Sequence, residues 1–246
     1  MPVDRFFINT DFVEGEPIFL IDEEFHHLCK VTRHQSGEEI QLVNGRNQIA
    51  RAHIGKIEKR RAVLQIDLVE TISMRGPKII LGQIIPKWNR LDTIIEKGTE
   101  LGVHEFWLIP SLHTKKEFFS PNQTERLKHI CIAAMKQCGR LDIPSLHFHE
   151  NLQQLSPTRG SVFFGDTREN APLLWTALQN KIPSLETILF FIGPESGFTS
   201  EEITILEKDW HAQPVALSKN ILRTDTASIT ALGLMQHFLL ASKTES

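Results

Sequence analysis

FFIGPESGFTSEEI, residues 190–203, decides how this chain is read. An apolar run stops abruptly at Gly193-Pro194. Glu195, Ser196 and Gly197 follow, and then Phe198-Thr199-Ser200-Glu201-Glu202. The run reads as a buried strand, and Thr199 or Ser200 reads as the cap of a helix with two carboxylates in its first turn. Between them lie two glycines, which let another molecule approach bare backbone. Open parallel sheets bind ligands beyond the carboxyl ends of their strands. The segment is therefore either a plain tight turn or one wall of a ligand site.

Working outward, the same plan recurs. KIILGQII (78–85), HEFWLIPS (104–111), SVFFGD (161–166), TILFFIG (187–193) and PVALS (214–218) read as strands. Residues 90–102, 122–139, 200–210 and 224–242 carry helical periodicity, the first closed by Gly102. On the helix 122–139, Leu127, Ile130, Cys131, Ala134 and Cys138 are expected on the inner face. Strand and helix in alternation predict an α/β fold with a mostly parallel sheet.

Residues 1–72 differ. PIFLI (17–21), EEIQLVNG (38–45), IARAHIGKI (49–57) and RAVLQIDLVE (61–70) are short β-rich runs with turn signals between them, Asn44-Gly45 among them. DEEFHHLCKVTR (22–33) predicts a single helix capped by Asp22, with Phe25, Leu28 and Cys29 on one face. One helix among short strands suggests a small barrel. Residues 71–78 form a plausible linker, so the expected domains are 1–72 and 73–246.

The chain has 246 residues, 41% hydrophobic and 23% charged, with a net charge of −3. No stretch approaches a membrane span, and the first residues lack the plan of a signal peptide, so a cytoplasmic protein is expected. The three cysteines, Cys29, Cys131 and Cys138, form no C-x-x-C pair, which argues against a disulfide scaffold and a zinc site; no metal is expected. The acidic balance means that any RNA contact rests on local basic clusters. Phosphate-loop, dinucleotide, zinc-protease and serine-elbow signatures are missing.

A second unusual loop lies in VALSKNILRTDTASITAL (215–232). Ile221 and Leu222 are apolar residues in a loop and must pack under protein or a ligand ring. Arg223 stands before a helix N-terminus, which is already electropositive, so it suits an anion.

The two loops together resemble the RsmE family, the 16S ribosomal RNA uridine-N3 methyltransferases of the SPOUT superfamily. RFF (5–7), HLCKVTR (27–33), EKGTELGV (96–103), KQCGRLDIP (136–144), IGPESGFTSEE (192–202) and LSKNILRTDTA (217–227) resemble family segments in the same order. Ser196 and Ser218 stand where the family has glycines, Asp225 where it has glutamate, Lys136 where it has glutamate and Thr32 where it has leucine.

The resemblance implies a trefoil-knotted α/β methyltransferase domain behind an N-terminal PUA-like β-barrel that binds RNA. It further implies S-adenosylmethionine as cofactor, 16S rRNA of the small ribosomal subunit as substrate, and a homodimer. Ile192, Gly193, Pro194 and Gly197 would form one wall of the cofactor site. Leu217, Ser218, Asn220, Ile221 and Leu222 would form the other. Arg223 would stabilise the uridine anion, with Arg5 and Arg33 as further arginines on offer, and Glu195 or Asp225 would accept the proton. Arg5, Arg33, Lys59, Arg60, Lys115 and Arg140 would contact RNA. The rival readings are an RNA-binding protein that lost the chemistry, a methyltransferase for another atom, and a nucleotide-binding metabolic enzyme.

Overall fold

The structure is a computed structural model. It describes residues 4–73, 76–111, 119–157, 160–180 and 186–244. The Cα positions divide into two compact units, residues 1–75 with 132–143, and residues 76–131 with 144–246. The second stretch of the first unit, 132–143, departs from the continuous 1–72 expected.

The first unit is a five-stranded half-barrel sheet. It is built from β1 (Arg5–Phe7), β2 (Pro17–Ile21), β3 (Glu39–Val43), β4 (Gln48–Ile57) and β5 (Arg61–Thr71), in the order β1-β3-β4-β5-β2. β1 runs parallel to β3, and the other pairs are antiparallel. Alternation sends Phe6, Ile40, Leu42, Ala50, Ala52, Ile54, Leu64 and Leu20 into one core. Asn44-Gly45 does begin the β3–β4 turn. Gly45 and Asn47 both take positive φ, and the Asn44 side chain accepts the N–H of Arg46 at 2.8 Å.

The helix expected over 22–33 is not one α-helix. α1 (Asp22–His26) runs into a π-helix over His27–Thr32, and Arg33 ends it in the left-handed region. The Thr32 hydroxyl donates to the Leu28 carbonyl at 3.1 Å, and the N–H of His34 reaches the same carbonyl. The widened turn brings Leu28 wholly into the core. Asp22 is not the cap: Ile21 occupies that position without a side-chain bond, and Asp22 itself has φ of 51°.

The second unit is a six-stranded, all-parallel sheet in the order β11-β9-β10-β6-β7-β8. The strands are β6 (Lys78–Ile84), β7 (Glu105–Ile109), β8 (Ser145–Phe148), β9 (Ser161–Gly165), β10 (Thr187–Ile192) and β11 (Gln213–Val215). The helices are α2 (Trp88–Glu100), α3 (Pro121–Cys138), whose residues 132–138 belong to the first unit, α4 (Leu174–Gln179), α5 (Ser200–Lys208) and α6 (Thr224–Thr244). β10 and β6 lie in the middle and are apolar almost throughout, as strands covered on both faces must be.

Gly102 closes α2 with φ of +80°, and the N–H of Val103 reaches back to the Gly98 carbonyl. Thr199 caps α5 in a reciprocal box, its hydroxyl accepting the N–H of Glu202 while the Glu202 carboxylate accepts the N–H of Thr199 at 2.7 Å. On α3, Leu127, Cys131 and Ala134 are buried as expected, but Cys138 is exposed at the frayed end before Gly139. Met135 is the buried residue of that last turn.

Gly82 allows the two central strands to pack. A Cβ there would lie 2.3 Å from the ring of Phe191, itself wholly buried. Gly82→Ala should therefore lower unfolding free energy by roughly 1–3 kcal/mol, read as a shift in urea midpoint at constant slope.

Candidate active site

The carboxyl ends of β9, β10 and β11 open onto one cavity of about 520 Å³. Ile192, Gly193, Pro194, Glu195, Ser196 and Gly197 line it after β10. Leu217, Ser218, Asn220, Ile221, Leu222 and Arg223 line it before α6. Residues 164–168 close a third side. The two loops singled out in the sequence thus face one space, although residues 198–216 lie between them.

The bare backbone has a geometric reason. A Cβ at Gly193 would stand 3.2 Å from the Phe198 nitrogen and 3.3 Å from the Gly197 carbonyl carbon, so the loop doubles back tightly on itself. Gly197 takes φ of +77°, and its N–H closes the turn onto the Pro194 carbonyl at 3.0 Å. Ser196 and Ser218 are not in the left-handed region, so neither serine is strained. The Ser218 hydroxyl accepts the N–H of Asn220 at 3.1 Å, a loop contact that glycine cannot make.

β11 ends at Val215, earlier than the strand expected to Ser218; Ala216 makes only an isolated bridge with Leu173. Leu217 and Ser218 are therefore loop. Ile221 is 84% exposed at the cavity rim, and Leu222 is half-buried.

Three side chains that the sequence reading passed over organise the site. Gln83, wholly buried in β6, donates to the Ile84 carbonyl at 2.8 Å and to the Thr224 hydroxyl at 3.1 Å. Its carbonyl oxygen accepts the hydroxyl of Ser228 at 2.7 Å. Thr224 then donates to the Gly193 carbonyl at 2.7 Å. One amide thereby ties β6, the end of β10 and the first turn of α6 together. Arg90 on α2 is the third: its guanidinium pairs with Glu195 at 3.2 Å and with Asp225 at 3.1 Å. The backbone N–H of Lys87 also reaches Glu195 at 3.3 Å.

The two carboxylates read as proton acceptors therefore share one cation. Glu195 lines the cavity, whereas Asp225 stands behind Arg90. Arg223, by contrast, is exposed at the cavity, and its guanidinium makes no hydrogen bond or ion pair among the described residues. Beside it, Arg168 is held by Asp166 and Glu207, which raise its pKa further, chiefly through the Glu207 hydrogen bond.

The basic residues expected at RNA belong to the first unit, except Lys115, which lies outside the described residues. Lys59 and Arg60 are exposed in the β4–β5 turn, and Arg33 is exposed after the π-helix. Arg5 is half-buried against Gln41, at 3.1 Å. Arg140 is mostly buried and bonded through two nitrogens to Asp142, so its charge is already met. Among the described residues, no three His, Cys, Asp or Glu side chains are placed to hold a metal ion.

Comparison with known proteins gives the arrangement its class, an enzyme that methylates RNA. Residues 74–236 match the RNA methyltransferase domain and residues 20–67 the RNA methyltransferase PUA domain. Ribosomal RNA small subunit methyltransferase E of Aquifex aeolicus is 30% identical over 91% of this chain and 96% of its own. Its counterpart from Buchnera aphidicola is 29% identical over 95% and 93%. The crystal structure of ribosomal RNA small subunit methyltransferase E from Neisseria gonorrhoeae bound to S-adenosylmethionine superposes with a TM-score of 0.82. It is 26% identical and covers 96% of this chain and 97% of that one. The chain belongs to this family of ribosomal RNA small subunit methyltransferases E.

Thr224→Val keeps the side-chain shape but removes the donor to Gly193 and the acceptor for Gln83. It should cost about 1–3 kcal/mol of stability, measurable by urea unfolding.

Proposed function

We propose that the chain transfers a methyl group from S-adenosylmethionine to N3 of a uridine in 16S rRNA of the small ribosomal subunit. The observation that carries this reading is the single cavity at the ends of β9, β10 and β11, with bare backbone on one wall and an unpaired guanidinium at its edge. The cavity volume of about 520 Å³ is in the usual range for small-ligand sites.

The residues present fit the cofactor. Gly193 and Gly197 leave backbone polar groups reachable beside Pro194. Leu217, Ile221 and Leu222 offer apolar surface to a flat ring, and Ser218 and Asn220 offer polar edges. When bound, the cofactor supplies a methyl group on a positively charged sulfur, already a good leaving group. The protein's task is then alignment and charge. The uridine N3 carries a proton, and its loss spreads negative charge over the neighbouring carbonyl oxygens. Arg223, like Lys219, is a cation of the cavity wall with no ion pair among the described residues, and it stabilises that charge. Glu195, on the cavity wall, accepts the proton, and Asp225 fixes Arg90 beside it.

Arg5, Arg33, Lys59 and Arg60 of the first unit are the RNA contacts of this reading. A homodimer is part of it too. Leu173, just before α4, and Leu240 on α6 are more than half exposed, and Trp175 of α4 packs edge-on against Phe238 of α6 at 5.3 Å. That apolar face suits a second copy of the chain. The trefoil knot and a cytoplasmic location complete the proposal.

Labelled S-adenosylmethionine incubated with small subunits lacking the modification should yield labelled 3-methyluridine after digestion. Another labelled nucleoside would reassign the target, and no label from folded protein would sink the proposal. In the same assay Arg223→Ala should reduce kcat by about 10²–10³-fold. Cofactor affinity, read by calorimetry, should change far less; the reverse pattern would make Arg223 a binding residue.

A further inference from the structure

The outer face of the half-barrel carries a cavity around Arg5, a residue named above only as one of several RNA contacts. Strand register lines up Arg5 on β1, Gln41 on β3, Arg51 on β4 and Leu68 on β5 as successive cross-strand partners. They lie on the face opposite Phe6, Leu42, Ala50 and Ala52 of the core. Ile49 and Glu70 form the adjacent cross-strand pair. The segment after α3 comes over this row, with Gly139 and Leu141 closing a cavity of about 270 Å³.

Some of its polar groups have no protein partner among the described residues. Among the described residues Nη1 of Arg5 is buried without a hydrogen-bond partner, while Nε bonds Gln41. The side chains of Arg51 and Glu70 make no hydrogen bond or ion pair among the described residues. A buried cationic donor left unpaired is costly, and its retention points to a ligand. Gly139 fits the same view. With φ of +84° and a would-be Cβ 3.3 Å from Arg5 Nη1, it leaves that nitrogen uncrowded.

We propose that this cavity takes one unstacked ribonucleotide of single-stranded RNA. Two guanidiniums suit a phosphate. The carboxylate of Glu70 would repel a bare anion, but it accepts a hydrogen bond from a ligand that also carries a donor, as a ribose 2′-hydroxyl does. Leu68, Ile49 and Leu141 supply an apolar surface for the base. The small size matches one nucleotide, and RNA is read through such splayed-out units. This inference rests on the chain being an RNA methyltransferase and assigns it a second RNA contact, within the first unit.

The test uses the full-length protein with S-adenosylmethionine present. Anisotropy of a labelled, uridine-rich single-stranded RNA and of the matching DNA is followed across salt concentrations. Arg51→Gln, at an exposed position, should weaken RNA binding about tenfold and lower the salt slope by about one. Arg5→Gln should do the same if it folds. Glu70→Ala should shrink the preference for RNA over DNA. Lys30→Gln, an exposed cation elsewhere in this unit, should change affinity much less. Unchanged affinity and slope in folded Arg51→Gln, or an equal loss in Lys30→Gln, would overturn the site. If wild-type protein bound RNA and methylated subunits in those cases, the function would stand and only the cavity's role would fall. Competition by free uridine monophosphate without any RNA effect would also overturn it, marking a small-molecule site.

Discussion

A buried amide holds the active-site end of the parallel sheet together. Gln83 sits wholly inside β6 and satisfies both ends of its side chain, through Ile84 and Thr224 on one side and Ser228 on the other. In a low-dielectric interior a satisfied polar group of this kind admits very few arrangements, because any other leaves it unpaired. The constraint passes through Thr224 to the Gly193 carbonyl, and so to the turn that follows β10. It passes equally to the first turn of α6, and so to Arg223 just before it.

Electrostatics adds a second tie on the other side of the turn. Arg90 links Glu195, on the β10 loop, to Asp225, in the first turn of α6. These pairs are partly exposed, and each alone is worth little. Their use is geometric: one guanidinium keeps two loops in register, while Arg223 makes no ion pair among the described residues. In the proposed mechanism the site thus separates a cation that holds the structure, Arg90, from one that acts on the substrate, Arg223.

Much of this was legible in the sequence because its causes are local. The Gly193–Gly197 turn, the α5 cap and the Gly102 stop each depend on a few adjacent residues; the turn and the stop stand where the sequence puts them, and the cap falls on Thr199, one of the two residues it offered. The pairing of the two loops came from the family resemblance rather than from periodicity. Gln83 was illegible because its partners lie up to 145 residues away, and one polar residue in an apolar strand reads as an interruption. Arg90 was passed over for the same reason, since its partner Asp225 lies 135 residues away. The grouping of residues 132–143 with the first unit follows from long-range contacts alone, such as Asn47 N–H to the Leu141 carbonyl at 2.9 Å. β1 and β8 are three and four residues long, too short for alternation to show. The π-turn after α1 escaped because the periodicity of 22–33 suits an α-helix until Thr32 bonds backward into it.

The claim that the buried amide sets the binding geometry can be tested on folded protein. Gln83→Leu preserves bulk while removing every hydrogen bond of the amide side chain. Calorimetric titration of this variant with S-adenosylmethionine, after its fold is checked by circular dichroism, is the direct measurement. The account predicts affinity weaker by at least about tenfold, equivalent to about 1.4 kcal/mol. Wild-type affinity in a folded Gln83→Leu protein would contradict it, since the two loops would then hold their places without the amide.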